Sequence, residues 1–311
     1  MGEIIASEAN PLVSVVVPTF KRPDRLPDAL DSILSQSYKN LEIIVVNDNV
    51  LCSDYDVGTE SIISVYRKMD SRVRAVHTSG QVGGGRARNI ACKEALGEYL
   101  AFLDDDDVFL PDKIETQLAF MQSGGYEMSW QDIAWYSERG RLVESRRLDH
   151  CQDFSKEGLL RAHLLIPISP TAIYMLKRSL FERTDGFGEV ATGQDWWLML
   201  RCIEAGARIG YMPGVHVHQR LHDGERLSLG ENKIVGEEAR HDAVRTYYPQ
   251  LPEKDVRYIE FRHNAVLAFS SIRSGALAKG ALFAFKALAC SPVAFFSEGL
   301  KFIRSGKKDR F

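Results

Sequence analysis

Apolar residues along the first hundred positions alternate between two spacings. Short apolar runs, many of them β-branched, fall at Leu12 to Val17, Leu41 to Val46, Val73 to His77 and Tyr99 to Leu103. Each reads as a strand, and the first and last read as strands buried inside a parallel sheet. Between them Leu26, Leu30, Ile33 and Leu34 recur at helical spacing, Ile62 to Met69 is helical in pattern, and Arg86 to Leu96 is a helix stopped by Gly97. A strand about every thirty residues, with a helix between, predicts an α/β chain with a parallel sheet covered by helices.

The pattern changes after Met121. Residues 124 to 148 carry aromatics and a turn at Glu138-Arg139-Gly140-Arg141, which suits antiparallel strands. Leu159 to Leu165 reads as a short helix, Ser169 to Lys177 as a strand, Gln194 to Ala205 as a helix ended by Gly206, and Arg208 to Met212 as a short strand. From Glu231 onward helical spacing dominates, broken by Pro249, Pro252 and Pro292.

One stretch concentrates charge. Tyr99 to Leu103 runs straight into Asp104, Asp105, Asp106 and Asp107. Open α/β sheets bind ligands just past the carboxyl ends of their strands, where these acids fall. Four adjacent anions repel one another, so a positive group belongs among them, and a divalent cation with oxygen ligands fits best. If the backbone stays extended, Asp104 and Asp106 point one way, Asp105 and Asp107 the other. An EF-hand is excluded, because the loop position that requires Gly holds Phe109. Capping of the helix that starts near Pro111 explains one or two of the acids, not four.

The chain has 311 residues and a net charge of -3, which predicts no general affinity for nucleic acid. Five scattered cysteines form no C-x-x-C pair, which argues against a disulfide framework and a zinc site and for a reducing compartment. Met1 to Asn10 lacks the apolar core of a secretory signal, and no stretch has the apolar length of a membrane span, so a cytoplasmic location is expected. The glycine loop from Gly80 to Gly85 is no dinucleotide fingerprint: the third glycine position holds Arg88, and the loop follows the third strand. Gly306-Lys307-Lys308 is no Walker motif.

Five segments together resemble the family 2 glycosyltransferases in order and spacing. They are Val15-Val16-Val17-Pro18-Thr19-Phe20-Lys21-Arg22, Ile43-Ile44-Val45-Val46-Asn47-Asp48, Ala87-Arg88-Asn89, Phe102-Leu103-Asp104-Asp105-Asp106-Asp107 and Gly193-Gln194-Asp195-Trp196. The resemblance covers about residues 12 to 228. It implies a GT-A fold, a nucleotide-sugar donor (a UDP-sugar first), Mn2+ or Mg2+ as cofactor, and inversion at the anomeric carbon. The acceptor it implies is a hydroxyl of a glycan or lipid-linked sugar, as in surface polysaccharide synthesis.

The resemblance also assigns residues. Pro18, Thr19 and Arg22 would support the nucleotide, Asp48 would accept from a base N–H, and Arg88 would lie near the base or ribose. Asp106 would bind metal directly, while Asp104 or Asp105 would reach the ribose or a metal-bound water. Asp107 is open to capping the next helix. Asp195 matches the general base; the family's usual glutamate before it is Gln194 here. His222 is the candidate for a further metal or pyrophosphate contact, with His218 behind it and His216 a third. Each has a plainer reading: Asp48 an Asx-turn, Arg88 a solvated helix residue, Asp195 an N-cap.

The domain expectation is a catalytic domain over 1–230, with a donor half at about 12–121 and an acceptor half at about 122–230, followed by a helical extension over 231–311. In that extension Phe295, Phe296, Leu300 and Ile303 stand beside Lys301, Arg304, Lys307, Lys308 and Arg310. Apolar plus basic residues suit either a packed tail or peripheral contact with the inner face of the membrane. Two alternatives to sugar transfer remain: a sugar-phosphate nucleotidyltransferase, and a non-catalytic glycan-binding protein of the same fold.

Overall fold

The computed structural model describes residues 10–190, 192–221 and 231–304. The chain divides into two compact units, residues 1–160, 168–189 and 194–223 in the first, and 161–167, 190–193 and 224–311 in the second. The first unit opens as β1 (Val13–Thr19), α1 (Leu26–Leu34), β2 (Leu41–Asn47), α2 (Asp54–Met69), β3 (Val73–His77), α3 (Gly84–Glu94) and β4 (Tyr99–Phe102). There follow β5 (Val108–Phe109), α4 (Lys113–Gly124), β6 (Met128–Ser137), β7 (Leu142–Arg146), α5 (Lys156–Leu165), β8 (Met175–Lys177), α6 (Arg178–Glu182), α7 (Gln194–Glu204) and β9 (Ile209–Leu221).

Among the described residues nine strands form one sheet, in the order β3-β2-β1-β4-β8-β6-β9-β5, with β7 paired to β6. Strands β1, β2, β3 and β4 pair in parallel, as the β-α alternation predicts, and β8 joins β4 antiparallel. Strands β1 and β2 are apolar on both faces because helices cover both. Leu26, Ala29, Leu30 and Ile33 of α1 pack with Val13, Val15 and Val17 in one core cluster. From β1 the chain builds outward to β2 and β3, then returns to place β4 on the other side. The crevice between the ends of β1 and β4 is therefore a topological switch point, where open α/β sheets bind ligands.

Three elements differ from what the spacing predicts. Helix α2 starts at Asp54 rather than Ile62, because Ser53 Oγ accepts from the Asp56 amide and Asp54 and Asp56 favour the positive end of the helix. Polar capping, which apolar periodicity does not register, sets that boundary. Of Ser169 to Lys177 only Met175–Lys177 pairs as a strand; Pro170 has no N–H to donate, and Thr171–Ile173 forms a 3-10 turn. Strand β9 continues past Met212 through Pro213 and Gly214 to Leu221, with register shifts against β6 on either side of Asp132. Asp132 Oδ2 holds the irregular point by accepting from the Gly214 amide at 3.0 Å.

The end of the sheet away from the switch point holds a buried polar knot. Glu42, on β2, accepts from Ser14 Oγ at 2.5 Å and from the Leu96 amide at 2.7 Å, and pairs with Arg74 at 2.9 Å. Ser14 Oγ in turn accepts from the Gly97 amide at 2.9 Å. A carboxylate inside an apolar sheet is tolerated because every lone-pair direction it uses has a donor.

The second unit holds α8 (Glu231–Arg245), α9 (Glu253–Arg273), α10 (Leu277–Cys290) and α11 (Pro292–Arg304). Helices α8 and α9 share a buried charge cluster: Glu237 meets Arg240 at 2.5 Å and His263 at 3.1 Å, and the rings of His263 and His241 stack 3.7 Å apart. Burial works against the Glu237 carboxylate, but the His263 hydrogen bond and the Arg240 guanidinium outweigh it and pull Glu237 down to about 2.

A Cβ on Gly97 would stand 2.6 Å from both the Ser14 amide nitrogen and its Oγ, and 2.8 Å from the Leu12 carbonyl. Gly97→Ala is therefore expected to destabilise the first unit by about 1–3 kcal/mol, by forcing β4 away from β1. A melting temperature equal to that of the wild type would show that the turn yields without strain.

Candidate active site

The donor-side residues gather at the switch point. Asp48, just past β2, is buried and holds the glycine loop: its Oδ1 accepts from Thr78 Oγ1 at 2.5 Å and the Val82 amide at 2.9 Å, its Oδ2 from the Gly83 amide at 3.0 Å. Gly80 and Gly83 adopt positive φ of 88° and 89°, which closes the loop over Asn49 and Val50. Three of the carboxylate's lone-pair directions are used, and one on Oδ2 remains for another donor. The end of β1 is tied to β2 by the Asp48 amide, which donates to the Thr19 carbonyl at 3.0 Å, and by the Lys21 amide, which donates to Asn49 Oδ1 at 2.8 Å.

The acid block does not stay extended. Strand β4 stops at Phe102, and a turn follows in which the Asp107 amide donates to the Asp104 carbonyl at 3.1 Å. The alternation expected of an extended chain therefore fails. Asp104, Asp106 and Asp107 offer carboxylate oxygens within 4.8 Å of one another, a group that does not include Asp105. Asp107 does not cap the next helix. Its Oδ2 accepts from Gln219 Nε2 at 2.8 Å and its Oδ1 from the Arg220 amide at 3.0 Å, so the far end of β9 holds it in the cluster. Burial first, then the charges of Asp106 and Asp104, push the Asp107 carboxyl well above its ordinary value.

Two guanidiniums answer this charge. Arg22 Nη1 meets Asp106 Oδ2 at 2.5 Å and Asp105 Oδ1 at 3.3 Å, and Arg88 Nη2 pairs with Asp104 Oδ1. Burial disfavours charge on Arg22, but Asp106, Asp105 and Asp104 outweigh it and raise the guanidinium above its usual value. Asp105 is pushed up to about 7 by burial and by Asp106, with Arg22 and Thr19 pulling the other way. Two guanidiniums leave the four acids short of positive charge, so burial and mutual repulsion raise the Asp105 and Asp107 carboxyls, and a divalent cation would relieve that shortage. The donors are all carboxylate oxygens, which suits Mg2+ or Mn2+ and not a thiolate- or imidazole-seeking metal.

Asp195 lies in the first turn of α7. Burial raises its carboxyl above the usual value, opposed by the Trp196 amide and by Arg88 and reinforced by Asp104. Glycines draw α7 to α3. A Cβ on Gly85 would stand 2.5 Å from the Gly188 carbonyl and 2.9 Å from Gln194 Cγ, so only hydrogen fits there. Asn89 completes the joint: it donates through Nδ2 to the Phe187 carbonyl at 3.0 Å and accepts the Phe187 amide at 2.8 Å. Arg88, next to it, lies over the Phe187 ring at 5.6 Å.

The histidines divide. His216 Nδ1 meets Asp112 at 3.0 Å, and the His218 ring of β9 lies tilted against the Tyr136 ring of β6 with centroids 3.9 Å apart, its pKa lowered by burial and by Arg220. His222 lies outside the described residues. A second group of ligand atoms, from Asp56, Glu60 and His77, lies beyond β2 and β3. There the Asn47 amide donates to Asp56 Oδ1 and Glu60 Oε1, both at 2.8 Å, and sits where a cation would have to go.

The Glycosyl transferase family 2 profile matches residues 14–184, more than half of the chain, and the chain belongs to that family. An uncharacterized glycosyltransferase of Rickettsia felis is 38% identical over 222 residues, 71% of this chain but 35% of its own length. The putative teichuronic acid biosynthesis glycosyltransferase TuaG of Bacillus subtilis is 40% identical over 135 residues, 43% of this chain and 52% of its own. The Escherichia coli UDP-Glc:alpha-D-GlcNAc-diphosphoundecaprenol beta-1,3-glucosyltransferase WfaP is 35% identical over 132 residues, 42% of this chain and 49% of its own. The matched region thus spans from about a third to about half of the length of these relatives. Among solved structures, S. aureus TarS 1-349 in complex with UDP-GlcNAc superposes with a TM-score of 0.59 at 18% identity, over 89% of this chain and 91% of that one. The mannosyltransferase PcManGT from Pyrobaculum calidifontis, in complex with GDP-Man and Mn2+, also scores 0.59, at 19% identity over 96% of this chain and 81% of that one. The fold is GT-A, as the five segments implied.

Because Asp48 anchors the loop through three hydrogen bonds, Asp48→Ala is expected to expose the Val82 and Gly83 amides. Loss of charge-assisted bonds of about 1.5–3 kcal/mol predicts roughly 10- to 100-fold faster amide exchange there. Unchanged protection at both amides would mean that the loop holds itself.

Proposed function

We propose that the chain transfers a sugar from a nucleotide-sugar donor, a UDP-sugar, to a hydroxyl of a glycan or lipid-linked acceptor, with inversion at the anomeric carbon. One observation carries the reading. Arg88 joins the acid block through Asp104, and its helix packs through Gly85 directly on the residue before Asp195, so acid block and candidate base share one site. The name of WfaP, which gives a UDP-sugar donor and a diphosphoundecaprenol-linked acceptor, supports the donor and acceptor classes. Family membership favours sugar transfer over the nucleotidyl-transfer and glycan-binding alternatives.

In this reading Pro18, Thr19 and Asp48 receive the nucleoside, with the open lone pair of Asp48 Oδ2 facing a base N–H. Asp105, paired with Arg22, borders the ribose. Asp106, with Asp104 and Asp107 beside it, would hold Mn2+ or Mg2+, which supplies Lewis-acid charge to the departing diphosphate when bound. Arg22, which pairs with Asp106 and Asp105 at the edge of that group, is the guanidinium that would be placed to meet phosphate. His222, outside the described residues, would supply the further metal or pyrophosphate contact.

Asp195 works on the acceptor side. The acceptor oxygen attacks the anomeric carbon as the bond to the diphosphate breaks, and the hydroxyl proton passes to a carboxylate oxygen of Asp195. Burial raises the carboxyl's pKa, which strengthens it as a base. The sign follows: transfer needs the ionised form, so activity is lost as pH falls through a pKa higher than that of an ordinary aspartate.

Asp195→Asn is expected to lower transfer by about 10²–10⁴-fold while the donor Kd stays within about threefold, because a positioned base adds little to ground-state binding. Product anomers read by NMR should be inverted. Retained configuration, or near wild-type transfer by the Asn variant, would remove Asp195 from the mechanism. Asp106→Ala should abolish the Mn2+-dependent part of donor binding in calorimetry; full metal-dependent affinity in that variant would reassign the cation.

A further inference from the structure

Helix α10 is apolar on two opposite faces, and only one of them is used. Gly280, Phe283, Ala284, Ala287 and Leu288 recur at helical spacing and face inward; a Cβ on Gly280 would stand 2.5 Å from Ile272 Cγ1, so the helix lies close on α9. The other face carries Ala278, Ala281, Leu282, Phe285 and Ala289, all exposed, and Leu277 is exposed at the start of the helix. Leu277 is 66% exposed, Leu282 54% and Phe285 68%, and α11 adds Val293 at 81% and Phe296 at 61%. A helix that is apolar all round is normally buried all round, and an apolar patch of this kind marks a contact surface.

The charges within the stretch that carries the patch have one sign. Between Ile272 and Ser297 the charged residues are Arg273, Lys279 and Lys286, with no Asp or Glu. Both lysines are exposed, and their ammonium groups lie 5.9 and 5.2 Å from the Phe283 ring. The first acid after this stretch, Glu298, is turned to Tyr258, whose hydroxyl donates to it at 2.8 Å. No single helix among the described residues is long and apolar enough to cross a membrane, and α10 meets α11 at a bend of 117°.

We propose that the exposed face of α10, continued by α11, docks the protein on an anionic lipid surface, lying in the plane of the interface. Apolar side chains enter the acyl boundary while Lys279 and Lys286 meet lipid phosphates, the arrangement of an interfacial amphipathic helix. A second copy of the chain is the poorer occupant. A two-fold contact through this face would bring the same three cations of each copy together, with no acid in the stretch to meet them.

The test is co-sedimentation of the full chain with vesicles of phosphatidylglycerol in phosphatidylcholine, and with phosphatidylcholine alone. The wild type should bind the anionic vesicles at low salt, bind the neutral ones far less, and be released in large part at about 0.5 M salt. L282S/F285S should lose binding to both. K279Q/K286Q should lower binding to the anionic vesicles by roughly tenfold or more and erase the preference for them. Circular dichroism and donor binding check that each variant folds; should the apolar pair fail that check, the lysine pair, on exposed polar tips, carries the test. A wild type that ignores anionic vesicles at low salt overturns the proposal. So does a wild-type dimer in solution that L282S/F285S turns into monomer, since the face would then bind a second copy.

Discussion

Four carboxylates packed at the end of one buried strand repel each other, and the first unit is arranged to hold them there. Arg22 reaches in from the end of β1, Arg88 from α3, and the end of β9 supplies the Gln219 side chain and the Arg220 amide. Three chain segments far apart in sequence thus converge on one short turn. What they neutralise is incomplete, and the shortage of positive charge that remains suits a divalent cation. A site finished within the protein would have no use for a ligand.

The convergence depends on backbone approach as much as on charge. Where α3 meets the segment leading into α7, Gly85 leaves the Gly188 carbonyl and Gln194 room that a methyl group would take. Asn89 then clamps Phe187 by a reciprocal pair of hydrogen bonds. Arg88 is held between Asp104 and the Phe187 ring by the same packing. The Ala87-Arg88-Asn89 segment therefore serves both sides, with one side chain on the acids and the next on the loop that leads to Asp195. The glycine loop beyond β3 follows a similar logic, held shut by the Asp48 carboxylate through three hydrogen bonds.

The second unit uses charge differently. Glu237, Arg240, His241, Glu260 and His263 satisfy one another between α8 and α9, so the polar groups are consumed inside. Helix α10 has spent none of its outer face in this way. Apolar side chains of that size left in water are costly unless another phase covers them.

Much was legible from the chain itself. Apolar runs of strand length, separated by helical spacing, determined the parallel core, because a strand covered on both faces has to be apolar on both. The five motif segments determined the family and the edge of the sheet where chemistry sits. Tertiary structure decided the rest, because it depends on which distant residues meet. The turn that moves Asp107 into line with Asp104 and Asp106 is held by β9, more than a hundred residues away. The two-residue strand β5 exists only because Val217 and His218 of β9 arrive to pair with it. The family resemblance gave Arg22 to the nucleotide; that it pairs with the acid cluster follows from the pairing of β1 with β4. Local spacing encodes which face a side chain takes, whereas the partner it finds there is set by strand order, which no local pattern contains.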